Sequence, residues 1–101
     1  ITVQNLCQLL DARKNPFILD VRSGEELERN GRINDAVHIH ITTLPEHISR
    51  IPKDRPVYIF CGSGMRSMIA ASLLKGLGWK NIHVVLGGLA GWNSVSCPLD
   101  L

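Results

Sequence analysis

The sequence predicts one α/β domain whose mostly parallel sheet of about five strands carries helices on both faces. Three observations predict it. Apolar segments of strand character alternate with capped or amphipathic helical segments along the chain. The strand segments, Phe17-Ile18-Leu19-Asp20-Val21 and Val57-Tyr58-Ile59-Phe60 above all, are near-continuous apolar runs, as strands covered on both faces require. A length of 101 residues suits a single compact domain over residues 1–101.

The helices follow in order. Leu6, Leu9, Leu10 and Arg13 fall at i, i+3, i+4 and i+7, which predicts a short amphipathic helix capped by Thr2 or Asn5. Lys14-Asn15-Pro16 ends it. After the first strand, Ser23 and Glu26 have capping-box spacing for a helix over Gly24–Asn30. Ala36 to Ile41 alternates and predicts a short strand with His38 and His40 on one face. Two histidines make no metal site without further ligands, so an edge or rim position is expected. Thr42 or Thr43 is expected to cap a helix near Pro45–Arg50. The best-defined helix follows the Val57–Phe60 strand, with Ile69, Ala70, Leu73, Leu74 and Leu77 at helical spacing and Gly76 and Gly78 at its end. Ile82 to Leu86 is the last strand, closed by Gly87-Gly88, and Leu89–Asn93 predicts one more helical turn.

Composition excludes several function classes. A formal charge of +2 is too small to argue for nucleic acid and only mildly favours anionic substrates. No apolar run approaches the roughly 18 residues of a membrane span, and no secretory leader pattern is present. Neither nucleic acid nor a membrane is expected as a partner. The three cysteines, Cys7, Cys61 and Cys97, are widely spaced and odd in number. That argues against a disulfide framework and against zinc, and predicts a reducing, cytoplasmic setting. Cys7 is expected as a small buried apolar residue. A chain that starts at Ile1 is open to being part of a longer protein.

The chemistry gathers in Cys61-Gly62-Ser63-Gly64-Met65-Arg66-Ser67. A strand delivers the cysteine, a glycine-bearing loop follows, and a helix starts. An ordinary cysteine is mostly protonated at neutral pH, and a helix N-terminus with converging amides favours its thiolate. Gly62 and Gly64 free the backbone to turn amides inward, Ser63 and Ser67 add hydroxyls, and Arg66 adds a planar cation suited to oxyanions. Such a nest suits a thiolate, a persulfide or a bound oxyanion. A phosphate-binding P-loop is excluded, because its lysine and glycine spacing are missing. In an α/β fold, the strand exits Asp20-Val21-Arg22, Cys61–Arg66 and Gly87-Gly88 would meet at the carboxyl edge of the sheet.

The loop resembles the C-x-x-G-x-R-S loop of the rhodanese family of sulfurtransferases. Asp20-Val21-Arg22, the segment from Glu25 and Glu26 through Gly31-Arg32-Ile33 and Ala36, and Gly87-Gly88 with Trp92 resemble further family motifs in the same order. Arg32 and Asn34-Asp35 depart from the family's usual histidine and proline-glycine. The Gly-Ser-Gly after Cys61 is also similar to the loop of mercaptopyruvate sulfurtransferases, which carry a small hydroxyl residue where Arg66 stands. The resemblance implies a two-step transfer. Cys61 takes a sulfane sulfur from a small anionic donor such as thiosulfate and passes it from a persulfide to a thiol or cyanide, the acceptor being a small molecule or a protein. It implies a persulfide-binding loop of Gly62, Ser63, Gly64, Met65, Arg66 and Ser67, with Arg66 binding the donor anion or bracing the loop. Asp20 and Arg22 are implied as loop support, and neither a metal nor an organic cofactor is required. Two alternatives stay open: a non-catalytic binding or regulatory module, and a cysteine-dependent phosphatase or arsenate reductase. The latter's loop is one residue longer between cysteine and arginine.

Overall fold

The structure is a computed structural model that describes residues 3–11, 16–31, 33, 36–62 and 65–85. Their order is α1 (Val3–Asp11), β1 (Phe17–Asp20), α2 (Gly24–Asn30), β2 (Val37–His38), a 3-10 segment (Ile41–Arg50), β3 (Val57–Phe60), α3 (Met65–Gly76) and β4 (Ile82–Val84). The expectations for Thr2, Arg13, Arg32, Asn34, Asp35, Ser63, Gly64, Gly87, Gly88, Leu89–Asn93 and Cys97 lie outside the described residues.

The described strands form one four-stranded parallel sheet in the order β2-β1-β3-β4. The chain leaves β1 toward one edge and returns on β1's other side as β3. The switch point therefore lies between β1 and β3, the place where open α/β sheets bind ligands at the carboxyl edge. Backbone bonds carry the ladder past the strand ends: Val21 N–H donates to the Phe60 carbonyl at 3.1 Å, and Ile39 N–H to that of Asp20 at 3.0 Å. Val21 and Cys61 thus leave the sheet side by side, with Arg22 and Gly62 next.

Period-two alternation divides the core. Ile18 and Phe60 pack with Leu6 of α1 and Ile33 on one face. Leu19, Val57, Ile59 and Cys61 pack on the other with Leu44, Ala70, Ala71 and Leu74. Each fully buried leucine or isoleucine contributes about 2 kcal/mol of hydrophobic stabilisation.

The capping box is formed as its spacing predicts. Glu26 N–H donates to Ser23 Oγ at 3.2 Å, and Ser23 N–H donates to Glu26 Oε1 at 3.2 Å. The end of α3 also follows its glycines. Gly78 has φ of 107°, while its N–H and that of Trp79 donate to the Lys75 and Leu74 carbonyls.

Four expectations need correction. The strand over Ala36–Ile41 shortens to Val37–His38 because the 3-10 segment already starts at Ile41. That segment begins without a side-chain cap from Thr42 or Thr43, and His47 breaks it with non-helical angles. Ile69 on α3 and Leu77 just beyond its end are exposed, whereas Ser67, Ala70, Ala71 and Leu74 are buried. With apolar residues nearly all round α3, spacing alone did not select the face, and the small alanines permit the closer approach. Cys7 is disulfide-bonded, with its partner outside the described residues. Separation along the chain does not limit a disulfide; separation in space does.

Candidate active site

Cys61 sits immediately beyond β3 and is fully buried, and it is not in a disulfide. β3 places it, because the alternation that turns Val57 and Ile59 toward α3 turns Cys61 the same way. Gly62 follows, and α3 begins at Met65 with its N-terminal dipole toward the loop. Met65 is exposed at the mouth, whereas Ser67 is buried. Ser67 Oγ has no hydrogen-bond partner among the described residues.

Arg66 does not present an open guanidinium. Its Nη1 donates to Glu26 Oε1 at 2.5 Å and its Nη2 to Glu26 Oε2 at 2.8 Å. The pair is 27% and 31% exposed. Glu26 is itself held by Ser23, whose Oγ donates to Glu26 Oε1 at 3.1 Å. The Arg66 hydrogen bond first, opposed by partial burial and aided by the hydrogen bonds from Ser23, holds the Glu26 pKa at about 2, down from 4.5. Arg66 is raised, first by that hydrogen bond and, after burial opposes it, by the charges of Glu26, Cys61 and Asp20. Arg66 therefore lies within electrostatic reach of the cysteine while neutralised by a carboxylate. A Cβ on Gly62 would stand 3.2 Å from Arg66 Nη2 and 3.3 Å from Glu26 Oε2, so the pair rests directly on the loop.

Asp20 and Arg22 form a second, deeper pair. Arg22 Nη2 donates to Asp20 Oδ2 at 2.8 Å, Arg22 Nε donates to both Asp20 oxygens, and both side chains are essentially fully buried. Arg22 Nη2 also donates to the Gly31 carbonyl at 3.0 Å, and the guanidinium lies over the Phe60 ring, 5.1 Å from its centroid. Arg22 Nη1 has no partner among the described residues. His38 Nε2–H donates to the Arg22 carbonyl at 2.6 Å and fixes the strand exit. These contacts hold the β1 end against the β3 end.

The structure thus brings Cys61, Gly62, Met65, Arg66 and Ser67 to one sheet edge, with Asp20 and Arg22 beside them. Among the described residues, no group of three or more histidine, cysteine or acidic side chains is placed to hold a metal. The sequence reading missed Glu26 as a site residue and saw it only as a cap and as part of a family-like segment. The available signal was the Arg66 guanidinium, which needs a counter-charge when half-buried.

The sequence profile described as "Rhodanese-like domain" matches residues 2–95. The chain belongs to the rhodanese-like domain family. Similar rhodanese-family proteins carry both the fold and a named activity. A sulfurtransferase of Allochromatium vinosum is 32% identical over 98% of this chain and 92% of its own. The thiosulfate sulfurtransferase GlpE of Shewanella oneidensis is 29% identical over 95% of this chain and 93% of its own. The crystal structure of a Staphylococcus aureus rhodanese-like domain protein superposes with a TM-score of 0.87 at 30% identity, covering 100% of this chain and 97% of that one. These names support sulfur transfer as the class of activity for this rhodanese-like chain. No helix among the described residues is long and apolar enough to cross a membrane.

Proposed function

We propose that residues 1–101 act as one rhodanese-like domain that transfers sulfane sulfur through a persulfide on Cys61. The observation that carries this is the buried thiol of Cys61, set between the end of β3 and the start of α3 within reach of the Arg66 charge. The Cys61 thiolate attacks the outer sulfur of thiosulfate, the S–S bond of the donor breaks, and sulfite leaves with the bonding pair. Cys61 then carries an anionic persulfide. A thiolate or cyanide attacks the outer persulfide sulfur and restores the Cys61 thiolate. Backbone amides from Gly62 to Ser67, with the Ser67 hydroxyl, stabilise the anion in both states. The thiosulfate sulfurtransferase named among the relatives supports thiosulfate as a donor.

Asp20 and Arg22 support the loop by fixing the neighbouring strand exit. Arg66 braces the loop through Glu26, which weighs against the phosphatase alternative, since that chemistry uses an arginine open to a tetrahedral oxyanion. The acceptor is a thiol or cyanide, on a small molecule or a protein. A thiol nucleophile suits a reducing, cytoplasmic setting; the disulfide at Cys7 is the observation on the other side.

Incubation with thiosulfate should add one sulfur atom to the intact protein, read by mass spectrometry, and cyanide should release it as thiocyanate. Cys61→Ser should take up none. Failure of the native chain to load sulfur from thiosulfate, mercaptopyruvate and glutathione persulfide alike would overturn this reading.

A further inference from the structure

The mouth of the Cys61 loop carries a closed charge pair where a single open cation would otherwise stand. Both nitrogens of the Arg66 fork are engaged by Glu26, at 2.5 and 2.8 Å. Glu26 is itself locked in place by Ser23 Oγ and Ser23 N–H, at 3.1 and 3.2 Å. The pair presses on Gly62, next to the nucleophile. We propose that Glu26 is a positioning residue that sets donor specificity: by neutralising Arg66 beside Gly62, it removes the preference a lone guanidinium would give to doubly charged donors over singly charged ones. This rests on the sulfur-transfer reading and names the donor class that reading leaves open.

The physical basis is a difference between charges. A net positive charge near the mouth attracts a dianion about twice as strongly as a monoanion, whereas a neutral pair attracts both weakly. The depressed pKa of Glu26 keeps its carboxylate charged through the neutral range, so the pair stays closed there. Thiosulfate, a dianion, and methanethiosulfonate, a monoanion, deliver the same outer sulfur. In each case the Cys61 thiolate gains the sulfur, the donor S–S bond breaks, and sulfite or methanesulfinate leaves with the electron pair. Total charge is conserved in both reactions.

Glu26→Gln separates the two roles of Glu26. Glutamine can still serve in the capping box, but it cannot neutralise Arg66. The expected result is a KM for thiosulfate that falls about threefold or more relative to that for methanethiosulfonate, an effect that shrinks as salt is raised. Glu26→Asp, which keeps the charge, should return toward the native ratio. Ser23→Ala removes the cap and leaves the carboxylate, so it should lower stability without moving the ratio. Arg66→Met leaves the Glu26 charge alone and should move the ratio the opposite way, which keeps the test open if Glu26→Gln fails to fold. The same two anions, titrated calorimetrically into Cys61→Ser with and without Glu26→Gln, give the ratio without turnover. An unchanged or reversed ratio in these variants overturns the role of Glu26. Absence of sulfur loading on Cys61 overturns sulfur transfer alone, because the calorimetric ratio still decides the role of Glu26.

Discussion

Glu26 and Arg66, 40 positions apart, meet fork to fork at 2.5 and 2.8 Å and tie the first turn of α2 to the first turn of α3. The carboxyl pKa is depressed from 4.5 to about 2, with the Arg66 hydrogen bond as the largest cause. Because the folded value lies below the unfolded one, the pair's stabilisation is fully present above about pH 4.5. It is lost as pH falls toward 2. With the side chains 27% and 31% exposed, solvent screening limits its size to about 1 kcal/mol. Urea midpoints of the native chain and Glu26→Gln should therefore differ by a constant amount at neutral pH and converge in strong acid. A difference that persists in strong acid would show that the pair does not set it.

Gly62→Ala should disturb the site where Gly24→Ala does not. A Cβ on Gly62 meets Arg66 Nη2 at 3.2 Å and Glu26 Oε2 at 3.3 Å, so both side chains must give by a few tenths of an ångström. A Cβ on Gly24 meets nothing within 4 Å. The expected cost at Gly62 is about 1 kcal/mol, with slower sulfur loading. At Gly24, in the first turn of α2, alanine should be neutral or slightly stabilising. Thermal unfolding and a loading time course on both variants check this.

The Asp20–Arg22 pair should be costly to break from one side. Asp20→Ala leaves a buried guanidinium without its carboxylate, a change that costs about 3–5 kcal/mol. Adding Arg22→Met removes the orphaned charge and should recover part of the loss. Denaturant midpoints for the two single variants and the double variant close the cycle. A loss below about 1 kcal/mol in Asp20→Ala would mean that Arg22 is satisfied from elsewhere.

Local chemistry made some of these features legible in the sequence. Ser23 and Glu26 are three residues apart, and their capping box formed as that spacing predicts. Gly78 marked the end of α3 for the same reason. The Val57–Phe60 run and the cysteine after it identified the loop, because a two-face-buried strand has a distinctive apolar composition. A counter-charge for Arg66 could be expected, but that Glu26 supplies it was not legible, since only the 2-1-3-4 strand order brings α2 beside the loop. The exposure of Ile69 was hidden by apolar residues on every face of α3. His38 looked like half of a rim pair with His40, yet its partner is a backbone carbonyl on the adjacent strand exit, which no side-chain pattern encodes.

Ser67 offers the sharpest separation between folding and chemistry. Its hydroxyl is buried in the first turn of α3 and has no hydrogen-bond partner among the described residues. A buried polar group in that position costs about 1–3 kcal/mol of desolvation unless something pairs with it. An anionic persulfide on Cys61 would supply the acceptor. Ser67→Ala should therefore keep or raise folding stability, by up to about 1 kcal/mol. The same variant should lose about tenfold in persulfide formation, since one charge-assisted hydrogen bond is missing. Thermal midpoints of the sulfur-free protein and loading kinetics with thiosulfate measure the two effects separately. The hydroxyl serves the fold, and not the sulfur, if stability falls while loading is unchanged.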